Sequence, residues 1–135
     1  MLKYMLDTNI VIYVIKRRPV SILDTFNARA GQMCISSITL AELLYVVEKS
    51  TRPEHNLLQV EDFTSRLDVL DYGAKPAAHY GQIRTELEKS GKVIGVNDLH
   101  IAAHARSEGF ILITNNPGEF ERVPGLRSDN WLNGS

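Results

Sequence analysis

Two short runs of unbroken apolar residues constrain the fold of this chain most strongly. They are residues 4–6 (YML) and residues 110–113 (FILI), and polar residues bound both of them. Runs this short and without alternation are typical of strands that are buried on both faces, as in a parallel sheet. Residues 33–36 and 69–70 form two weaker strand candidates. The rest of the chain must then cover both faces of a small sheet.

Helical patterns separate these runs. Apolar residues recur at three- and four-residue spacing over residues 10–16, 21–27, 39–49, 54–66, 74–90 and 97–108. Pro53 suits a first helical turn, and Gly91 and Gly109 stand where C-terminal caps are expected. Strands that alternate with helices predict an α/β fold with a parallel sheet between helical layers.

The size and composition indicate one globular domain. The 135 residues suffice for a single core, so we expect one domain over residues 1–132 and a polar tail over residues 133–135. No segment approaches the roughly 20 apolar residues that a membrane span needs. Lys3 is the only basic residue before the first apolar run, and Asp7 ends that run. This pattern does not match a secretory signal and favours a cytoplasmic protein.

Charge and cysteine content exclude two further classes. The net charge of −1 does not match a general nucleic-acid coat, although local contacts to phosphate stay compatible with it. The single cysteine, Cys34, cannot form an internal disulfide, and its apolar neighbours predict a buried thiol.

Acids and amides follow the strand candidates. Asp7 comes directly after residues 4–6, while Glu42 and Asp98 lie near the starts of two predicted helices. The segment that follows the FILI run carries Thr114, Asn115, Asn116 and Glu119. Because the carboxyl ends of parallel strands meet at one edge of a sheet, we expect these side chains to converge there.

Several carboxylates gathered at one edge predict a metal site. They repel one another, and burial raises the cost of ionising them, so a divalent cation would relieve the conflict. Oxygen ligands without assured Cys or His favour Mg²⁺ or Mn²⁺ over zinc. Such an ion suits hydrolysis of a phosphodiester bond.

Several of these residues have an alternative interpretation. Taken alone, Glu42 fits better as part of a capping box: Thr39 would be the N-cap of a helix, and Glu42, three residues after it, would lie in the first turn. Thr8 and Asn9 are expected to hold Asp7 through local bonds to the turn backbone. Thr114 either bonds only the backbone or also orients a water or a phosphate at the site.

Two other groups of polar residues are less specific. His100 and His104 share a helix face, but His100 lies about 200° round the helix from Asp98, so we expect core packing, a dimer contact or a solvated face for the pair. The basic run Lys16, Arg17 and Arg18 follows the first helix. It serves either as a solvated helix end or as a contact to phosphates that flank the cleaved one.

An ordered set of segments resembles the PIN-domain ribonucleases and, within them, the VapC toxins of bacterial toxin–antitoxin pairs. The segments are MLDTNI (5–10), CISSITLAEL (34–43), VLDY (69–72), GQIRTEL (81–87), IGVNDLHIAAHARS (94–107) and TNNPGEFERV (114–123). The resemblance implies a compact α/β/α sandwich around a short parallel sheet, and it matches Asp7, Glu42 and Asp98 to the family's three acidic metal positions. At the fourth position, where many relatives carry Asp, this chain has Asn116, and Glu119 is the alternative source of a carboxylate.

The resemblance also implies an activity and partners. It predicts a homodimeric, Mg²⁺-dependent endoribonuclease toxin, with Mn²⁺ as a substitute and one or two ions in the site. The expected substrate is initiator tRNA, cut in the anticodon stem-loop to leave 5′-phosphate and 3′-hydroxyl ends. The expected inhibitor is a small VapB-type antitoxin whose C-terminal segment blocks the acidic groove.

Two competing hypotheses remain at this point. One is a catalytically silent PIN-like module that binds RNA or protein. The other is a phosphatase with an aspartyl nucleophile after the first strand, which needs an acid where this chain has Asn9.

Overall fold

The sheet is parallel throughout, as the short apolar runs predict. The computed structural model describes residues 1–133 and places five strands there: β1 Tyr4–Leu6, β2 Met33–Ser36, β3 Asp68–Leu70, β4 Ile111–Ile113 and β5 Arg127–Asp129. They pair in the order β3-β2-β1-β4-β5. The chain therefore moves from β1 to one edge of the sheet and returns on the other side of β1 at β4. The β1–β4 boundary is the topological switch point, where α/β proteins bind ligands.

Helices cover both faces of this sheet. The described residues form α1 Thr8–Lys16, α2 Ser21–Ala28, α3 Ser37–Lys49, α4 Pro53–Thr64, α5 Ala74–Ser90, α6 Val96–Glu108, α7 Pro117–Phe120 and a closing 3₁₀ turn Trp131–Asn133. The six predicted helices agree with α1 to α6 within two residues at each end. No described helix has the length and apolar content to cross a membrane. Of the predicted tail, residues 134 and 135 lie outside the described residues.

Alternate strand residues contribute to two separate cores. In β1, Tyr4 and Leu6 pack with α1 to α4, whereas Met5 packs with α5 to α7 on the opposite face. Cys34 belongs to the second core, as a buried free thiol whose pKa is raised by burial to about 12. The period-2 alternation of side chains in each strand thus builds a three-layer α/β/α sandwich, which confirms the predicted fold.

The start of α3 differs from the prediction. Ser36 caps this helix, because its hydroxyl accepts a hydrogen bond from the backbone N–H of Ile38 at 3.1 Å. Thr39 is buried inside the helix, so the predicted capping box is wrong and Glu42 lies in the second turn. Glu42 therefore does not cap this helix.

Two elements have no counterpart in the sequence prediction. The edge strand β5 has the polar, largely exposed sequence Arg127-Ser128-Asp129, so neither apolar run nor alternation marks it. The short helix α7 begins at Pro117, which suits a first helical turn. Since α7 carries Glu119, it belongs to the candidate site.

We predict opposite effects for alanine at two glycines with open space around them. Gly109 ends α6 with φ +73°, whereas Gly81 lies inside α5, and a Cβ at either position would meet nothing within 4 Å. Gly109→Ala should lower the free energy of unfolding by about 1 kcal/mol, because an L-residue is strained in the left-handed region. Gly81→Ala should raise it by roughly 0.5–1 kcal/mol through helix propensity. Urea unfolding of both variants measures the two signs, and equal effects would contradict the assigned backbone conformations.

Candidate active site

Asp7 lies at the switch point between β1 and β4. The β1–β4 register pairs Leu6 with Ile113, so Asp7 and Thr114 emerge side by side from the two strand ends. The Asp7 carboxylate is buried, caps α1 by accepting from the backbone N–H of Ile10 at 2.9 Å, and receives a hydrogen bond from Thr114. Local geometry therefore fixes this acid without a cationic partner.

The pKa of Asp7 is raised. Burial is the main cause, and the nearby charges of Glu42 and Glu119 add to it, while the hydrogen bonds from Thr114 and Ile10 oppose the rise. The carboxylate of Asp7 thus interacts electrostatically with two acids that come from distant parts of the sequence.

Glu42 projects from α3 into the same edge and is held there by two neutral donors. The Thr8 hydroxyl donates to Oε1 at 2.5 Å, and Nδ2 of Asn97 donates to Oε2 at 3.1 Å. The sequence analysis did not single out Asn97. Asn97 lies within the segment 94–107 that carries the family resemblance and at the start of a predicted helix, but neither feature assigns a role to its side chain.

Asp98 and Glu119 form the other half of the cluster. Asp98 lies in the first turn of α6 and shares a hydrogen bond with Glu119. The pKa of Asp98 is raised to about 7, first by burial, then by the charge of Glu119 and by its hydrogen bond, and further by Asp7 and Glu42. The four acids therefore form one electrostatic group.

The two candidates for the family's fourth metal position, Asn116 and Glu119, are in contact with each other. Asn116 donates from Nδ2 to Oε2 of Glu119 at 2.7 Å, and the backbone N–H of Gly95 donates to Oε1 at 3.2 Å. Thr114 accepts from the backbone N–H of Asn116 at 3.0 Å while it bonds Asp7. Asn116 thus orients the carboxylate of Glu119.

The basic run lies apart from the acids. Lys16, Arg17 and Arg18 are exposed at the C-terminal end of α1, and Lys16 and Arg17 line a groove of about 790 Å³ between α1, α2 and α4 that contains none of the four acids. Because α1 rises about 1.5 Å per residue, the basic run stands roughly 15 Å from Asp7. At the acidic end, Asn9 is exposed.

The two histidines pack away from the cluster. His104 is buried with Nδ1 2.8 Å from the Ser36 hydroxyl, which confirms core packing for this residue. Nδ1 of His100 lies 2.8 Å from the Tyr72 hydroxyl, and the ring stacks on Tyr80 with centroids 4.2 Å apart. Burial lowers the pKa of both rings.

The donors of this site fit a hard divalent cation. As placed between residues 1 and 133, no three His, Cys, Asp or Glu side chains already form a metal-binding group. The ion pairs found in that part of the chain are Arg66–Asp62 and Arg84–Glu88, so no basic side chain neutralises the four acids. Burial and, after it, this excess negative charge raise the pKa of Asp98. Carboxylate oxygens with this excess charge are suitable ligands for Mg²⁺ or Mn²⁺.

Comparison with known proteins gives close similarity along nearly the whole chain. The model of the PIN domain family matches residues 4–126. Ribonuclease VapC2 of Haemophilus influenzae strain Rd is 67% identical over 132 residues, covering 98% of this chain and 100% of the relative. The tRNA(fMet)-specific endonuclease VapC of Shigella flexneri is 57% identical over 131 residues, covering 97% of this chain and 99% of the relative. The crystal structure of DNA-bound VapBC from Salmonella typhimurium aligns with a TM-score of 0.94 at 54% identity, covering 97% of this chain and 99% of that one.

The titration of Asp98 predicts how stability depends on pH in the metal-free protein. Because the folded-state pKa is about 7 against the usual 3.8, the folded protein binds more protons than the unfolded chain between these values. The free energy of unfolding should therefore fall as the pH rises from 5 to 7 and then level off, with Asp7 adding a change of the same sign.

Thermal melts in EDTA between pH 5 and pH 8 measure this dependence. Asp98→Asn cannot ionise and should flatten the curve, whereas Asp24→Asn, on the exposed surface of α2, should follow the unmodified protein. An unchanged slope in Asp98→Asn would contradict the assigned electrostatics.

Proposed function

The chain belongs to the PIN-domain family and, within it, to the VapC ribonucleases, and from this we propose that it is a metal-dependent endoribonuclease toxin that cuts initiator tRNA. The observation that carries the proposal is the electrostatic group of Asp7, Glu42, Asp98 and Glu119, which has no basic partner among the described residues. Membership of this family removes the phosphatase hypothesis.

In this proposal Asp7, Glu42 and Asp98 hold Mg²⁺, for which Mn²⁺ can substitute, and Glu119 supplies the fourth carboxylate. When bound, the ion supplies a charge that activates a water and offsets the negative charge developing on the attacked phosphate. The protein supplies the orientation of the acids. The acids lie beyond the carboxyl ends of β1 and β4. We expect an RNA backbone to approach from that end of the sheet.

Neutral side chains around the acids complete the site. Thr114 stands beside Asp7 and orients it, and Asn116 does the same for Glu119. Thr8 holds Glu42, while Asn9 is exposed in the first turn of α1. None of these groups carries a charge, so they position the acids without competing with a cation.

The proposed substrate rests on relatives. The Shigella flexneri protein, 57% identical, is named for specificity toward tRNA(fMet), so we propose cleavage of initiator tRNA in the anticodon stem-loop. Lys16, Arg17 and Arg18 would contact phosphates that flank the cleaved bond, at a distance set by the length of α1.

The proposed partners are a VapB-type antitoxin and a second copy of the chain. The Salmonella typhimurium neighbour was solved as a VapBC complex. An Arg from an antitoxin would replace the charge of the cation by bidentate bonds to the carboxylates and so inactivate the site. The exposed apolar residues Leu44, Tyr45 and Val46 on α3 are available for a homodimer contact. A toxin directed at tRNA would act in the cytoplasm.

Asp7→Asn should abolish RNA cleavage while the fold is kept. The amide oxygen can still cap α1 through the N–H of Ile10, but the negative charge is lost, so turnover should fall by at least about a hundredfold. Cleavage of labelled RNA with Mg²⁺, with the circular dichroism melt as a check of folding, measures both effects. Asp24→Asn should cleave normally. Full activity in Asp7→Asn would contradict the role of Asp7, and a protein that never cleaves RNA would support the silent module instead.

Mapping of cleavage ends on total tRNA tests the substrate. With Mg²⁺, initiator tRNA should be cut within the anticodon stem-loop to give 5′-phosphate and 3′-hydroxyl ends, and elongator methionine tRNA should stay intact. An intact initiator species beside another cleaved RNA would reject the substrate and leave the nuclease activity standing.

A further inference from the structure

We propose that Asn97 is a positioning residue that holds Glu42 in the orientation needed for cation binding. This inference rests on the proposed function of the acids as a metal site. It concerns a residue outside the four acids and outside the side chains that the sequence pattern singled out.

The geometry ties Glu42 to the two segments that carry the aspartates. Thr8, which follows Asp7, donates to one carboxylate oxygen, and Asn97, which precedes Asp98, donates to the other. Glu42 itself comes from α3. The two hydrogen bonds therefore join α1, α3 and α6 through a single carboxylate.

Among residues 1–133, these two hydrogen bonds are the ones that restrain the Glu42 carboxylate. Glu42 is half-buried, and a glutamate loses considerable rotamer freedom when it is held in one orientation. The charge of Glu42 raises the pKa of both Asp7 and Asp98, so repulsion from these two acids opposes an inward orientation of its carboxylate. Two donors on opposite oxygens counteract that tendency.

An amide suits this role better than a basic side chain. It restrains the carboxylate without neutralising it, and each carboxylate oxygen retains a further lone pair for a cation. A lysine or arginine at the same place would compete with the cation for the same negative charge. The neutral donors around Glu42 therefore leave its negative charge available to bind a divalent cation.

Asn97 can be altered without disturbing the core. Its side chain is exposed at the start of α6, and the hydrogen bond to Glu42 is the one its amide makes among residues 1–133. Its substitution therefore leaves the two buried cores unaltered. Any change in cation binding after substitution reports on the orientation of Glu42.

The first measurement is the affinity of chelator-treated protein for Mn²⁺, followed by electron paramagnetic resonance of the free ion. Asn97→Ala should weaken binding by about tenfold, the size typical of a lost partner of a metal ligand. Asn97→Gln keeps an amide donor and should restore part of the affinity. As a control, Asn56→Ala removes an amide on α4 that donates to the Ser50 hydroxyl at 3.0 Å, and this variant should bind Mn²⁺ normally.

The second measurement separates positioning from contact with RNA. If Asn97 acts through Glu42, Asn97→Ala should lower kcat for RNA cleavage and leave KM nearly unchanged. A raised KM with unaltered Mn²⁺ affinity would mean that Asn97 binds the substrate, and it would overturn the proposal.

A double-mutant cycle in Mn²⁺ affinity decides the coupling. In a Glu42→Ala background, Asn97→Ala should have no further effect, because the carboxylate that it orients is gone. A full, additive loss in that background would overturn the proposal. The Mn²⁺ measurements do not depend on RNA cleavage. If the protein binds Mn²⁺ with the coupling expected for Asn97 and Glu42 but cuts no tRNA, the proposed substrate is refuted and the role of Asn97 is retained.

Discussion

Repulsion among four carboxylates at one edge of the sheet is the constraint that the surrounding structure has to satisfy. Three of the acids are held by bonds from their own neighbourhood: Asp7 by the N–H of Ile10, Glu42 by Thr8 and Asn97, and Glu119 by Asn116. All of these donors are neutral. The fold thus fixes the positions of the negative charges and leaves their sum uncompensated, which suits a site that awaits a cation.

The acids come from both helical layers. Asp7 and Glu42 belong to the layer that contains α1 and α3, whereas Asp98 and Glu119 belong to the layer that contains α6 and α7. They can meet only beyond the strand ends, where the sheet no longer separates the layers. The switch point between β1 and β4 provides this opening, so the topology of the sheet determines where the chemistry is placed.

Most of the fold follows from the sequence because its strongest signals are local and periodic. Unbroken apolar runs locate β1 and β4, and the rule that parallel strands end at one edge is enough to bring Asp7 and Glu119 together. The polar edge strand β5 carries no such signal, since it is largely exposed. The capping box at Thr39 was wrong because Ser36 offers an earlier cap that local pattern alone does not rank higher. Asn97 was missed because its role depends on a residue 55 positions away in sequence.

The hydroxyl of Ser36 joins two helices as well as capping one. It begins α3, the helix of Glu42, and it lies 2.8 Å from the ring of His104 on α6, the helix of Asp98. Burial lowers the pKa of His104, which favours the neutral ring at this buried contact. The helices that carry Glu42 and Asp98 are therefore joined through a hydrogen bond that does not depend on a charged group. A change in the protonation of Asp98 leaves this contact between the two helices in place.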